Sequence, residues 1–433
     1  MASAYYAKKN NLPFKVYEKS NYVGGNCRTL EYENFRFDTG AHRFHDKIPK
    51  VTSVIKKLLN EDLIQVTSPS KIFLNDEFIH FPIRILDILK NININSSLQI
   101  IREIIKIQFN KVNQDISFKD FAYNKYGETL SELLLINYTE KLWGQSADML
   151  SPSISGGRLK NLNMLSTLKE LFLNTKFKSK HLDGSFYYPR MGYGSIFDSI
   201  HTIIGNDNIC FNSQIVKICH DEKKINNIVL RNNETIYSNE IISTLPLNTL
   251  IKLLDPLPCQ HILDIINNLK FRALRLCVIF INKSSFTPNA SLYFPDSKVS
   301  FTRIYEPKNR SLSMAPSDKT SIVVEIPYDQ DDIIEDDDNQ MYTERIISEL
   351  ISKRLLNKKD IISTKLFNIP YAYPVIEKGI DFKLELVFNY LRQFKNLHII
   401  GRSAEFKYLH THDLFDSADK KIQYLLNRGK ING

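Results

Sequence analysis

A short apolar strand that ends on an acidic residue is the feature that most constrains the fold of this chain. Residues 14–17 are apolar enough to be buried in a parallel sheet, and Glu18 follows them directly. Residues 2–10, just before this strand, have the pattern of a helix. Because a helix that leads into a buried parallel strand is part of a βαβ unit, the sequence predicts an α/β fold that begins inside such a unit.

The residues after this strand are suited to binding a nucleotide. An acidic residue at the end of the second strand of a βαβ unit can accept hydrogen bonds from ribose hydroxyls, although most such residues are only solvated strand ends. Gly24 and Gly25 follow with Arg28, and a glycine pair lets the backbone approach a phosphate or a ring closely. A second tight turn then carries His42. Together these residues favour the binding interpretation for Glu18.

Composition limits the class of protein. The chain has 433 residues, of which 43% are apolar and 24% charged, which is typical of a globular protein of two or three domains. It lacks an apolar run long enough for a membrane helix and an evident secretory signal. Its five cysteines are an odd number without a C-x-x-C pair, which predicts free thiols. These observations predict a cytoplasmic location.

Charge and histidine spacing indicate which ligands to expect. The net charge of +9 leaves an anionic small molecule open as a partner, but the cations are scattered among acids, so nucleic acid is not expected. Pairs such as His410 and His412 lack further ligands at a suitable spacing, so no metal is predicted. The acidic residues between 329 and 338 lack the spacing of a calcium loop and are interpreted as a solvated loop before a helix.

The remaining periodicity divides the chain into helical and strand-rich parts. Residues 98–109 carry Ile and Leu at helical spacing and begin a predicted helical insertion that extends to about residue 180. Such an amphipathic helix could lie on a membrane, but core packing is favoured because its polar face has few cations. Strands are predicted between residues 214 and 244 and between 274 and 324, and a final strand and helix close the chain.

Nine sequence motifs, in order along nearly the whole chain, resemble one enzyme superfamily. They are VYEKSNYVGGNCRT (16–29), FRFDTGAHRF (35–44), YTEKLWG (138–144), LSPSISGGRLKNL (150–162), FYYPRMGYGSIFDSI (186–200), ISTLPL (242–247), SLYFPDSKVSFTR (291–303), AYPVIEKG (372–379) and IIGRSAEFKYLHTHD (399–413). The chain resembles the FAD-dependent amine oxidase and protoporphyrinogen oxidase superfamily. More narrowly, it is similar to UDP-galactopyranose mutases and their relatives in bacterial surface-polysaccharide gene clusters.

The resemblance implies an α/β architecture with a discontinuous Rossmann-like FAD-binding domain and a substrate domain of sheet and helices. The FAD-binding domain would comprise residues 1–69, 185–262 and 390–433. Residues 70–184 would form a helical and strand substrate subdomain, and residues 263–389 a β-rich substrate domain.

The resemblance also implies roles for individual residues. His42 would lie beside the flavin ring, where its neutral imidazole could donate one hydrogen bond to the ring or to a substrate hydroxyl. Arg158 and Arg303 would act with it in catalysis by clamping the diphosphate of a nucleotide sugar. The residues implied for FAD are Glu18, Gly24, Gly25, Arg28, Val216, Arg402 and Asp413, and those implied for substrate are Tyr293, Tyr373 and Tyr408. For each tyrosine, ordinary core packing is the alternative.

Three functions follow from the resemblance. The first is an enzyme that rearranges a nucleotide sugar or a related anionic precursor in polysaccharide biosynthesis, without net redox change. The second is a flavin-dependent oxidase or dehydrogenase of the protoporphyrinogen or amine oxidase type. The third is a truncated, non-catalytic paralogue. The chain has Gly40-Ala41-His42 where mutases commonly have Gly-Gly-His, and this difference leaves the substrate open.

The start of the chain gives one further expectation. A dinucleotide-binding unit carries a G-x-G-x-x-G turn about 20 residues before its acidic residue, but only seventeen residues precede Glu18. We therefore expect a truncated gene product or a misplaced start, with the first strand and the phosphate turn encoded in frame upstream.

Overall fold

The computed structural model describes residues 1–81, 83, 85–109, 116–155, 185–330, 332 and 338–431. The predicted site residue Arg158 and the end of the predicted helical insertion lie outside the described residues.

Strands and helices alternate along the described chain. The strands are β1 Val16–Tyr17, β2 Thr29–Tyr32, β3 Phe35–Asp38, β4 Leu63–Val66, β5 Ser70–Leu74, β6 Glu77–Phe81, β7 Phe186–Pro189, β8 Ile209–Cys210, β9 Ile215–His220, β10 Ile225–Leu230, β11 Thr235–Ile236, β12 Ile241–Ser243, β13 Leu254–Asp255, β14 Phe271–Ile281, β15 Ser291–Tyr293, β16 Arg303–Tyr305, β17 Thr320–Asp329, β18 Ile361–Pro374 and β19 Leu397–Ile399.

The helices are α1 Ala2–Lys9, α2 Pro49–Leu59, α3 Ile85–Asn91, α4 Ile94–Phe109, α5 Phe118–Tyr126, α6 Glu128–Ser131, α7 Asn137–Trp143, α8 Ser195–Ile204, α9 Leu247–Lys252, α10 Gln260–Asn267, α11 Asp338–Ser352, α12 Ile380–Arg392 and α13 Thr411–Ile431. A π-helical turn, Glu132–Ile136, joins α6 to α7. Among the described helices, none is both long enough and apolar enough to cross a bilayer.

The largest sheet has seven strands in the order β18-β14-β17-β16-β15-β5-β6. All eleven residues of β14 are buried, because apolar side chains cover both faces of the sheet. Cys277 and Ile279 pack into one cluster and Leu276 and Val278 into another, as expected for side chains that alternate between faces. Strands β5 and β6 belong to this sheet, so the two segments predicted as separate substrate units share one sheet, while their division into domains remains a prediction.

The other end of the molecule contains parallel strand pairs and the first and last helices. β1 pairs with β8, and β12 pairs with β19, each in parallel. Ala4 and Tyr6 of α1 pack in one core with Ile196 of α8 and with Phe415 and Ala418 of α13. The predicted helix over residues 2–10 is confirmed as α1, whereas the predicted strand over residues 14–17 is reduced to the two residues of β1.

Helix α4 confirms core packing for one face of the predicted amphipathic helix. Ile100 and Ile104 are buried against α5, α6 and the sheet, in a cluster with Tyr126 and Leu130. A capping box at Ser117 and Asp120 starts α5.

Candidate functional site

Glu18 lies at the end of β1, as predicted for a ribose-binding residue. Its backbone N–H donates to the Cys210 carbonyl in β8, which fixes it at the edge of this strand pair. The Ser20 backbone N–H and hydroxyl both donate to Glu18 Oε1, at 2.9 and 2.8 Å. The side chain is half-buried, and these bonds orient its carboxylate. Its role in ribose binding stays a prediction.

The glycine turn after β1 has the backbone that the sequence argument requires. Gly24 and Gly25 have φ values of +93° and +55°, which side chains rarely adopt. A Cβ on Gly24 would lie 3.1 Å from the Cys27 carbonyl, whereas a Cβ on Gly25 would have nothing within 4 Å. The turn therefore leaves space beside Gly25. Arg28 stacks on Tyr22, with its Cζ 3.8 Å from the ring centroid.

His42 lies between the glycine turn and the turn before α8. Its Nε2 is 2.9 Å from the Asn26 carbonyl, and its ring stacks on Tyr193 at 4.9 Å. Burial is the main cause that lowers the pKa of His42; the bond to Asn26 opposes it, the nearby Arg310, Arg303 and Arg402 add to it, and the resulting pKa is about 3. A carbonyl only accepts, so the neutral ring carries its hydrogen on Nε2. Nδ1 is left as an acceptor in this geometry, and the predicted role of His42 beside the flavin stays a prediction.

A buried carboxylate, Asp38, holds the elements around His42 together. Tyr188 donates its hydroxyl to one oxygen at 2.5 Å, while the Thr29 hydroxyl and the Tyr193 N–H donate to the other at 2.7 and 2.9 Å. Burial raises the pKa of Asp38 despite these bonds and the nearby Arg310. Asp38 thus connects the β2–β3 hairpin to β7 and to the ring that stacks on His42.

The centre of the large sheet carries a row of polar residues. Tyr293 of β15 lies opposite Arg303 of β16, and Arg303 lies opposite Glu325 of β17. Residues directly opposite one another share a face, so the register alone brings these three side chains together.

Arg303 is part of a buried ion pair. Its Nε and Nη2 donate to Glu325 Oε2 at 2.7 and 2.6 Å, and neither contact uses Nη1. The other carboxylate oxygen accepts the Ala41 N–H at 2.9 Å, which connects the sheet to the turn that carries His42. Burial disfavours the charged guanidinium, but Glu325 together with the nearby Tyr293, Tyr373 and Tyr138 holds the pKa of Arg303 well above its usual range.

Aromatic side chains form a second wall of the site. Tyr373 and Tyr408 stack with ring centroids 6.0 Å apart, and Trp143 meets both edge-on at 5.7 and 5.8 Å. Tyr138 packs against Tyr293 at 6.2 Å. Burial raises the pKa of Tyr373 to about 12, so this phenol stays protonated at neutral pH.

Arg402 lies against this aromatic wall. Its Cζ is 4.3 Å from the ring centroid of Tyr408 and 4.9 Å from that of Tyr373. Within the described part of the chain, its Nε and Nη2 are buried without a hydrogen-bond partner. Buried donors without acceptors are costly, so a group that supplies acceptors here would be bound favourably.

Val216 and Asp413 are predicted cofactor residues whose contacts do not by themselves indicate a ligand. Val216 lies on β9 and is 40% exposed, and its predicted backbone contact with adenine stays a prediction. Asp413 lies in the first turn of α13, where its Oδ2 accepts the His410 N–H at 2.9 Å. This carboxylate therefore caps the helix. Its predicted position at the start of the last helix is confirmed, and contact with a flavin stays a prediction.

The sequence argument did not identify Glu325, Tyr138 or Trp143 as site residues. Tyr138 and Trp143 belong to a motif that carried the resemblance, so their positions could have been chosen from it. Glu325 lies within an apolar run of β17, and an acid in the buried part of this strand was the available signal. Within the described residues, no group of three or more His, Cys, Asp or Glu side chains is placed to hold a metal.

Comparison with known protein families decides the relationship. The family model for flavin-containing amine oxidoreductases matches residues 1–371. The chain belongs to this family. Membership implies a flavin cofactor, and the open space beside Gly25 and the unpaired buried donors of Arg402 fit such a group.

Solved structures with the same architecture include proteins of different activity. The structure of reduced UDP-galactopyranose mutase matches with a TM-score of 0.86 and 18% identity, covering 98% of this chain and 93% of that one. A putative protoporphyrinogen oxidase from Exiguobacterium sp. 255-15 gives 0.71 and 15%, covering 98% and 95%. A fatty acid isomerase from P. acnes that produces CLA gives 0.65 and 13%, covering 98% and 95%. These matches confirm the predicted fold class.

Proposed function

We propose that this flavoprotein uses FAD and acts on a nucleotide sugar or a related anionic precursor, as a mutase. The observation that carries the proposal is an excess of positive charge in the site. Arg402 lies against Tyr373 and Arg303 lies near it, and Glu325 pairs only with Arg303. The flavin would supply acceptors for the unpaired donors of Arg402, and a substrate diphosphate would supply acceptors for Nη1 of Arg303, which the ion pair with Glu325 does not use. The similar structure of UDP-galactopyranose mutase suggests the substrate class.

The described residues would have different roles in binding FAD and substrate. Glu18 and the turn at Gly24 and Gly25 would hold the adenosine and diphosphate of FAD. Arg303 would bind the substrate diphosphate, with Arg158 as a further cation predicted from the resemblance, and Arg402 would hold the flavin. The reduced flavin would supply the electron pair for an exchange at the anomeric carbon without net oxidation.

Around the reacting carbon, the aromatic wall would exclude water and position the sugar. Tyr373 and Tyr408 would contact it through ring faces and hydroxyls, because both stack beside Arg402. His42 Nδ1 would accept a hydrogen bond from the reduced ring or from a sugar hydroxyl. Such a substrate would place the enzyme in cell-surface polysaccharide biosynthesis and is compatible with a cytoplasmic location.

Binding of UDP tests the proposal directly. We expect UDP, titrated into FAD-loaded protein by calorimetry, to bind the parent and to bind Arg303→Met more weakly by about tenfold to a hundredfold, because a charge-assisted hydrogen bond contributes about 1.5 to 3 kcal/mol. Arg392→Met is the matched control, since Arg392 is an exposed cation in a surface ion pair on α12. Equal UDP affinity in parent and Arg303→Met would contradict the proposed anion site.

Turnover distinguishes the mutase from an oxidase. Dithionite-reduced protein should interconvert the pyranose and furanose forms of a nucleotide sugar, as followed by chromatography. Hydrogen peroxide formed from an amine, in protein that does not bind UDP, would support the oxidase alternative instead.

A further inference from the structure

Lys141 makes three hydrogen bonds to backbone carbonyls near the candidate site. It lies on α7, and its Nζ donates to the carbonyls of Phe294, Asp296 and Val299 at 2.8, 2.8 and 2.9 Å. All three carbonyls belong to residues 294–302, the loop between β15 and β16, which we call the clamp loop. One ammonium group therefore holds three points of one loop.

The clamp loop joins two of the candidate site residues. Tyr293 precedes it and Arg303 follows it, and the two are paired across β15 and β16. The loop closes on itself through the Phe294 N–H, which donates to the Thr302 carbonyl at 3.0 Å. A shift of the loop would therefore move a substrate-facing tyrosine and an arginine together.

A second anchor holds the clamp loop from the other side. Glu349 of α11 accepts the backbone N–H and the hydroxyl of Ser300 at 3.0 and 2.8 Å. Glu349 holds N–H and O–H groups of the loop, whereas Lys141 holds its carbonyls. Glu349 and Lys141 have opposite charge. The three N–H donors of the Lys141 ammonium group match the three carbonyls that it binds.

We propose that Lys141 is a positioning residue for the anion site, whose amine holds the clamp loop and so sets the positions of Tyr293 and Arg303. Helix α7 supports this role, because Tyr138 lies one turn before Lys141 and packs against Tyr293. The same helix thus contacts Tyr293 and anchors the loop that follows it. This inference rests on the proposed function for its ligand and on the loop geometry for its mechanism.

The protonation state of Lys141 determines how many carbonyls it can hold. An ammonium group has three N–H donors, whereas a neutral amine has two donors and a lone pair that would face an oxygen. Burial lowers the pKa of Lys141 to about 8, against the raising effect of Asp296 and Glu349. Arg272, on β14, faces the same turn through bonds to the Lys141 and Leu142 carbonyls. Because burial of the charge dominates and an open loop would hydrate Lys141, the open loop binds more protons, so a rise in pH above about 8 should favour the closed loop.

Two measurements test this inference and separate it from the proposed function. Hydrogen exchange of the ligand-free parent should show protection of residues 294–302 rising between pH 7 and pH 9.5, after correction for the intrinsic exchange rate. UDP affinity of FAD-loaded parent should rise about fivefold over the same interval, because binding uses the closed loop.

Variants of Lys141 provide the controls. Lys141→Arg stays charged in this range and should abolish the pH dependence of both measurements, whereas Lys141→Met should show low protection and weak binding at every pH. Lys298→Met removes an exposed cation from the same loop and should behave as the parent.

The results distinguish a failure of the positioning role of Lys141 from a failure of the proposed function. Protection that depends on pH in parent but not in Lys141→Arg, without any UDP binding, would support the positioning role and overturn the proposed function. UDP binding whose pH dependence is equal in parent and Lys141→Arg would overturn the positioning role. If Lys141→Met does not fold, the comparison of parent with Lys141→Arg still decides.

Discussion

The ion pair between Arg303 and Glu325 allows a quantitative test of how the site is held. Their side chains are 15% and 2% exposed, and the shortest N–O distance is 2.6 Å. Two unit charges about 4 Å apart attract by about 4 kcal/mol at an effective dielectric constant of about 20. Desolvation offsets most of this attraction while both charges are present, but removal of one partner leaves the other buried and unpaired.

A double-mutant cycle measures this coupling. Glu325→Leu should lower the free energy of unfolding by about 3 to 5 kcal/mol, because it leaves Arg303 charged and unpaired. It also removes the acceptor of the Ala41 N–H. Arg303→Met added to Glu325→Leu should restore part of this loss, with a coupling free energy of about 3 kcal/mol.

The assay is urea unfolding followed by fluorescence and circular dichroism, used where the two transitions coincide. The control is the surface pair Arg392 and Glu385, which has the same N–O distance of 2.6 Å but side chains that are 62% and 55% exposed. Its coupling should stay below about 1 kcal/mol. Additive single-mutant effects at Arg303 and Glu325, within about 0.5 kcal/mol, would refute the argument.

Three further predictions concern single side chains. The pKa of His42 is about 3 in the fold, and its ordinary value is 6.5, so the unfolded chain binds more protons than the folded chain between these two values. The free energy of unfolding should therefore fall as the pH falls from 6.5 to 3. The same change in pH should lower the free energy of unfolding of His42→Gln by less. The pKa of Lys141 lies near 8, below its ordinary 10.5, so the free energy of unfolding should rise from pH 8 to 10.5 in the parent relative to Lys141→Arg. Urea titrations at several pH values check the predictions for His42 and Lys141. Arg402→Met should raise the melting temperature of flavin-free protein, since it removes unpaired buried donors. The same variant should bind FAD at least about tenfold more weakly in equilibrium dialysis. A decrease in both the melting temperature and the FAD affinity would indicate a purely structural arginine.

Local patterns in the sequence predicted the nucleotide-binding end of the fold well. Helix α1, the strand before Glu18 and the glycine turn follow from short-range periodicity and from the backbone freedom of glycine. The length of the strand before Glu18 could not be predicted in the same way, because only residues that find a hydrogen-bonded partner, here those opposite β8, become part of a strand.

The substrate side of the site depends on contacts between distant segments. Glu325 meets Arg303 and the Ala41 N–H because β16 pairs with β17 in one particular register. A register shift of one residue would turn Glu325 to the opposite face, and no local pattern in an apolar strand distinguishes the two alternatives. The partner of Arg303, and with it the net charge of the site, therefore required the structure.

Helix α7 shows how one short segment can define this site from the other side. Tyr138 and Lys141 are three residues apart and lie on one face, so both reach β15 and the loop after it. Trp143, at the last position of the helix, reaches Tyr373 and Tyr408. The register of β15, β16 and β17 and the periodicity of α7 thus both determine where Tyr293 and Arg303 lie. A substitution in these strands or in α7 should displace the residues that would contact the ligand. Rotating α7 by inserting one alanine before Tyr138 should therefore abolish UDP binding while leaving the buried row of β14 intact.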